Sequence, residues 1–169
     1  VITLVIGGTR SGKSDVAARI AAAHDEPVTV VVPTIVADEN FAQRVRDHQE
    51  RRPASWTTVE CGPALPDAVH AATGIVLIDS LGSWVAGTDG FTVDTTALLD
   101  ALRGRPDPTV VVTEEVGLSV HPPTDAGRHF ADQLGALNTA VAAGADEVLL
   151  VVAGRVTRLE PLDPSRPER

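Results

Sequence analysis

Gly7-Gly8-Thr9-Arg10-Ser11-Gly12-Lys13-Ser14 is a complete G-x-x-x-x-G-K-[ST] signature, and its setting decides the fold. Before it, Ile2 to Ile6 is an apolar, β-branched run of the kind that forms a strand buried on both faces. After it, Ser14 to Ala23 is alanine-rich with Val16 and Ile20 at helical spacing. Strand, glycine loop and helix follow in the order a phosphate cradle needs: the glycines let backbone N–H groups turn inward, and the helix N-terminus adds partial positive charge. Lys13 is the only lysine of the chain; arginine carries every other fixed cation. A compact ammonium retained at that one position suits a β- or γ-phosphate, which a planar guanidinium would reach poorly. The Ser14 hydroxyl is the expected Mg²⁺ ligand of such a loop.

Working outward, further apolar runs at Val28 to Val32, Ile75 to Ile78, Thr109 to Thr113 and Glu147 to Val152 alternate with helically patterned segments, and a short last strand is expected from Arg155 to Leu159. That alternation predicts a mostly parallel central sheet with helices on both faces. The expectation is therefore an α/β fold: a single P-loop NTPase-type, RecA-like domain over residues 1–160, followed by a loose, proline-rich tail over 161–169. In such sheets ligands sit beyond the carboxyl ends of the strands. The second strand ends at Pro33-Thr34. Asp79-Ser80 closes the strand from Ile75, where Asp79 is either a Mg²⁺ partner of Ser14 or an acidic helix cap before Leu81. Glu114-Glu115 closes the strand from Thr109, as part of a site or as the start of a helix or turn.

Composition narrows the function classes. The 169 residues carry a net charge of −9, which disfavours nucleic acid and anionic membrane surfaces as general partners, so an anionic ligand needs a local cationic site. One cysteine, Cys61, excludes an intramolecular disulfide and fits a reducing compartment. No apolar stretch reaches membrane-spanning length and no signal-peptide pattern is present, so a cytoplasmic protein is expected. Structural zinc is disfavoured by the lack of H-x-E or C-x-x-C spacing.

Asp38-Glu39-Asn40 reads as a helix start, with the helix running to Arg51 before Pro53. On it Phe41, Val45, His48 and Arg52 share a narrow arc, flanked by Arg44 and Arg51. His48 is thus either a histidine packed on Phe41 or a neutral nucleophile beside a cationic margin suited to nucleotide phosphates. His24, His70, His121 and His129 occupy ordinary helix or loop positions.

Together these residues resemble the bifunctional adenosylcobinamide kinase / adenosylcobinamide-phosphate guanylyltransferase family of cobalamin biosynthesis. The resemblance rests on the phosphate loop, on Ala42-Gln43-Arg44-Val45-Arg46-Asp47-His48-Gln49-Glu50-Arg51-Arg52-Pro53-Ala54-Ser55-Trp56, on Glu60-Cys61, on Glu115-Val116-Gly117, and on Arg128-His129-Phe130-Ala131-Asp132 with Asn138 and Ala145-Asp146-Glu147-Val148. It implies phosphorylation of adenosylcobinamide from ATP or GTP, then transfer of GMP from GTP through a guanylylated His48. It implies nucleotide contacts from Ile6, Gly7, Gly8, Thr9, Arg10, Ser11, Gly12 and Lys13, from Val32, Pro33 and Thr34, from Gln49, Glu50, Arg51 and Arg52, and from Glu60 and Asp79. Mg²⁺ would be held by Ser14 and Asp79, and the assembly would be a trimer. Two positions depart from the family pattern: Glu114 stands where asparagine is frequent, and Asp79 where glutamate is. The rival readings are a monofunctional small-molecule kinase with a structural His48, a GTP-driven switch, which lacks any N-K-x-D or T-K-x-D motif, and a passive nucleotide-binding subunit.

Overall fold

The computed structural model describes residues 1–34, 53–118 and 120–162. Seven strands form one sheet in the order β3-β2-β4-β5-β1-β6-β7: β1 (Ile2–Gly7), β2 (Val28–Val32), β3 (Thr57–Glu60), β4 (Ile75–Asp79), β5 (Thr109–Glu114), β6 (Glu147–Val152) and β7 (Arg155–Arg158). All neighbouring pairs are parallel except β6 with β7. The sheet of the expectation is present, with one strand added. Thr57–Glu60 is exposed along its whole length at the sheet edge, so it lacks the apolar run that marked the others.

The α-helices among the described residues are α1 (Lys13–Ala22), α2 (Leu65–Ala71), α3 (Leu81–Ala86), α4 (Thr95–Arg103) and α5 (Asp125–Gly144). Their ends follow local chemistry. The Asp94 side chain accepts the Ala97 N–H and caps α4, and the Thr124 hydroxyl accepts the Gly127 N–H and caps α5. Because strand side chains alternate, each buried strand feeds two cores. Val5, Val28, Val30, Ile75, Leu77, Val110 and Val112 pack under Ala17 and Ala21 of α1. Ile2, Leu4, Val31, Val76, Ile78 and Val111 pack under α2, α3, α4 and α5 on the other face. Trp84 of α3 is the largest fully buried side chain, and its indole N–H donates to Pro63 O at 3.0 Å.

At the edge away from the phosphate loop, Arg105 ties the sheet to α2. Its guanidinium donates to the carbonyls of Val69 (2.9 Å), Ala72 and Gly74 and to the Thr109 hydroxyl. Burial lowers its pKa below the ordinary arginine value, partly countered by the nearby Asp107. At the opposite edge, where parallel strands end together, lie Gly7, Val32, Glu60, Asp79 and Glu114. No helix among the described residues is long and apolar enough to cross a membrane.

Candidate active site

The phosphate loop leaves β1 at Gly7 and enters α1 at Lys13. Two of its residues take left-handed backbone, Arg10 (φ 58) and Gly12 (φ 93), the reversals that let a short loop curl with its N–H groups inward. Gly7 is required by packing: a Cβ there would lie 2.6 Å from both Ser11 Oγ and Val151 O. The loop is braced from behind by the β6–β7 turn, where Ala153 (φ 50) and Gly154 (φ 71) form a tight reversal and the Gly154 N–H donates to Ser11 O at 2.7 Å.

Lys13 is almost buried, its side chain 12% exposed. Its Nζ stands 3.3 Å from Gly8 O, to which it donates, and 3.6 Å from Glu114 Oε1. The strand register explains the second contact, since β5 pairs with β1 so that Glu114 lies beside Gly7. Glu114 is fixed from its other side as well. The Ser80 hydroxyl lies 3.0 and 3.1 Å from its two oxygens, and Gly82 leaves the space, because a Cβ there would stand 1.9 Å from Glu114 Oε2. Lys13, Ser80, Gly82 and Glu114 thus form one interlocked group at the mouth of the loop, and the role left open for Glu114 is now a position: it holds the ammonium. Glu115 does the turn-forming work, its carboxylate accepting the N–H groups of Gly117 (2.7 Å) and Leu118 (2.9 Å).

Asp79 ends β4, joined to Ser80 by a cis peptide. The helix-cap alternative belongs to its neighbour: Ser80 is the N-cap of α3, and its side chain accepts the Ser83 N–H. Asp79 instead pairs in register with Val112, level with Val5 and so just below the loop. Val32 and Glu60 are register partners at the ends of β2 and β3. Thr34 follows directly, and its Oγ1, with Ser11 Oγ, is a buried side-chain oxygen with no hydrogen-bond partner among the described residues. Both orphaned hydroxyls fall at expected nucleotide positions, and a buried polar atom without a partner is costly unless a ligand or water satisfies it. His48, Gln49, Glu50, Arg51 and Arg52 lie outside the described residues.

Mg²⁺ fits the donors that are described. It takes hard oxygen ligands, keeps several waters and uses one or two protein oxygens together with substrate phosphates. The Ser14 hydroxyl at the start of α1 and the Asp79 carboxylate supply that kind of set. No cluster of three or more His, Cys, Asp or Glu side chains able to hold a metal occurs among the described residues. Of the other histidines, His129 is engaged structurally, its Nε2 3.1 Å from Gly90 O and its ring 6.0 Å from that of Phe91. The Cys61 thiol, near Val32 O at 3.8 Å, has its pKa raised by burial, with a smaller opposing effect from a backbone hydrogen bond.

Sheet order, phosphate loop and strand-end carboxylates define a P-loop NTPase-type α/β domain of RecA-like form. A solved ATPase from the type III secretion system of pathogenic bacteria has the same fold, with a TM-score of 0.54 at 13% identity; the match covers 88% of this chain and 50% of that one. At the level of sequence, residues 3–159 match the model of the cobinamide kinase / cobinamide phosphate guanyltransferase family, and the chain belongs to that family. It is 32% identical over 163 residues to the bifunctional adenosylcobalamin biosynthesis protein CobP of Pseudomonas aeruginosa, covering 89% of this chain and 92% of that protein. Against the proteins named bifunctional adenosylcobalamin biosynthesis protein CobU, identity is 31% for Escherichia coli and 33% for Salmonella typhimurium, each covering 91% of this chain and 97% of the relative.

Proposed function

We propose that this chain phosphorylates the hydroxyl of the aminopropanol arm of adenosylcobinamide with ATP or GTP, and then transfers GMP from a second GTP to the new phosphate through a guanylylated His48. The observation that carries this reading is the enclosed Lys13 ammonium, held between Gly8 O and Glu114 at the mouth of a loop whose family couples a kinase to a guanyltransferase. Transfer to a hydroxyl needs only that the triphosphate be held and its charge neutralised, which Lys13 and the loop N–H groups supply. In the second step a neutral His48 nitrogen attacks the α-phosphorus of GTP. A P–N bond forms as the P–O bond to pyrophosphate breaks. An oxygen of the substrate phosphate then attacks the same phosphorus, the P–N bond breaks, and the imidazole is restored. Two displacements replace one difficult reaction between anions. Mg²⁺, when bound by Ser14 and Asp79, neutralises charge developing on the phosphate oxygens.

Positions 49 to 52, Val32 to Thr34 and Glu60 complete the nucleotide contacts in this reading. The enzyme works in the cytoplasm, an assignment supported by its single, unpaired Cys61, as a homo-oligomer that the family resemblance makes a trimer. The test is labelling with GTP carrying radioactive α-phosphate. Wild-type protein becomes labelled, and the phosphoramidate survives base and hydrolyses in acid. His48→Ala loses both the label and guanylyl transfer but still phosphorylates adenosylcobinamide. An acid-labile GMP adduct on the His48→Ala protein overturns the assignment.

A further inference from the structure

A second concavity adjoins the loop on the face of the sheet opposite α1. It is a cleft of about 410 Å³ between the ends of β1 and β5 and the stretch of α5 from Arg128 to Thr139, within the size range of small-molecule pockets. Ile6 forms its wall toward the phosphate loop, and the Glu115 N–H donates to Gly7 O at 3.1 Å, so cleft and loop share a backbone margin. Its floor is fixed. Asn138 is 8% exposed; its amide donates to Glu114 O at 2.9 Å and its carbonyl accepts from the Thr113 hydroxyl at 2.6 Å. Its lip is fixed as well, since Arg128 donates to Pro122 O at 3.0 Å and pairs with Asp125.

Gly135 gives the cleft its meaning. It sits in the interior of the 20-residue helix α5 and lines the cleft, and a Cβ built on it would meet nothing within 4 Å. A glycine inside a helix is destabilising relative to alanine, and no atom of the described residues requires it. Its φ is not positive, unlike Gly12 or Gly154. Among the described residues no side chain fills the space over it, which leaves it open to a ligand.

The lining identifies the class of occupant. Facing the space are the His121 and Asp132 side chains, which have no hydrogen-bond partner among the described residues, together with the exposed Thr139 and the apolar Val116 and Ala131. Carboxylates of Glu115 and Asp132 beside one guanidinium disfavour a polyanion such as a triphosphate, whereas mixed donors and acceptors over an apolar wall suit an uncharged, amide-bearing group. We propose that the cleft over Gly135 binds the acceptor, receiving the amide- and hydroxyl-bearing arm that enters the phosphate-loop site. This rests on the functional reading above and adds to it which residues hold the uncharged arm of the acceptor.

The experiment is Gly135→Ala with Asp132→Ala as a second variant, assayed for adenosylcobinamide phosphorylation and, separately, for GMP labelling from GTP. Filling the cleft by one methyl group raises the KM for adenosylcobinamide at least about tenfold. The KM for the nucleotide and the extent of labelling stay at wild-type values, while Tm of Gly135→Ala rises by about 1–4 °C from the gain in helix propensity. Asp132→Ala, which leaves the helix intact, raises the acceptor KM in the same way. An unchanged acceptor KM in both variants overturns the proposal, and so does a rise confined to the KM for nucleotide. Wild-type protein that accepts the GMP label but does not phosphorylate adenosylcobinamide overturns the functional reading and this inference together.

Discussion

Replacing Gly82 by alanine tests whether the group around Lys13 is interlocked. The new Cβ would stand 1.9 Å from Glu114 Oε2 and 2.8 Å from its Cδ, so the carboxylate must retreat by more than an ångström. In moving it gives up the hydrogen bond that the Ser80 hydroxyl shares between its two oxygens, at 3.0 and 3.1 Å, and its place 3.6 Å from Lys13 Nζ. Overpacking of this kind costs about 1–3 kcal/mol. The lost charged hydrogen bond belongs at the low end of its usual range of about 1.5–3 kcal/mol, because the Glu114 side chain is 31% exposed. Alanine returns about 0.5–1 kcal/mol through helix propensity. The net expectation is a loss of about 1.5–4 kcal/mol, or a Tm lower by about 3–16 °C for a chain of this size. The assay is thermal unfolding of Gly82→Ala, Glu114→Ala and the double variant. With the carboxylate gone, the next atom out from the new methyl is Leu134 Cδ2 at 3.4 Å, an ordinary contact. Gly82→Ala should then be neutral or mildly stabilising; helix propensity cancels in the cycle, giving a coupling of about 2.5–4.5 kcal/mol. Equal destabilisation by Gly82→Ala with and without Glu114 refutes the reasoning.

Lys13→Ala is expected to lose both kinase and guanylyl transfer by on the order of 10²-fold or more, because one triphosphate cradle serves both; steady-state rates of the two half-reactions check it, and retention of either points to a second nucleotide site. Asp79→Asn should shift the Mg²⁺ titration of turnover to higher metal concentration while metal-free nucleotide binding holds, since it removes charge at constant shape; superimposable titrations argue against a metal role. Burial raises the Cys61 pKa, so the protein holds less thiolate than free cysteine at mildly alkaline pH. Alkylation by iodoacetamide should be slower than for a free thiol there and climb only at higher pH; a rate already at its plateau at pH 8 contradicts this.

The sequence announces the phosphate loop because every determinant is local: the strand, the glycines, Lys13 and the helix are contiguous. Strands β1, β2, β4, β5 and β6 were legible for the same reason, as buried parallel strands are continuous apolar runs. Thr57–Glu60 escaped because an exposed edge strand has no apolar signature; its β-branched Thr57, Thr58 and Val59 were the available signal. Asp79 and Ser80 are equally good caps by residue type, and only the backbone assigned the cap to Ser80. The position of Glu114 was out of reach, since its partners Lys13, Ser80 and Gly82 meet it through strand register rather than through spacing. Gly135, seen as letters, is an ordinary flaw in a helix; its meaning lies in the space above it. His48 rests on pattern and family, its surroundings being outside the described residues.

The turn behind the phosphate loop also makes a built-in reporter. In an ordinary two-residue hairpin the amides at the tip face water and exchange their hydrogens freely. Here the Gly154 amide is spent on Ser11 O at 2.7 Å, so the hydrogen leaves only when turn and loop part. Deuterium uptake at this single site, followed by nuclear magnetic resonance, would read the opening of the loop without any substrate turnover. Slower uptake on addition of a non-hydrolysable triphosphate would show the ligand clamping a loop that is otherwise held shut by one backbone bond from the far end of the chain.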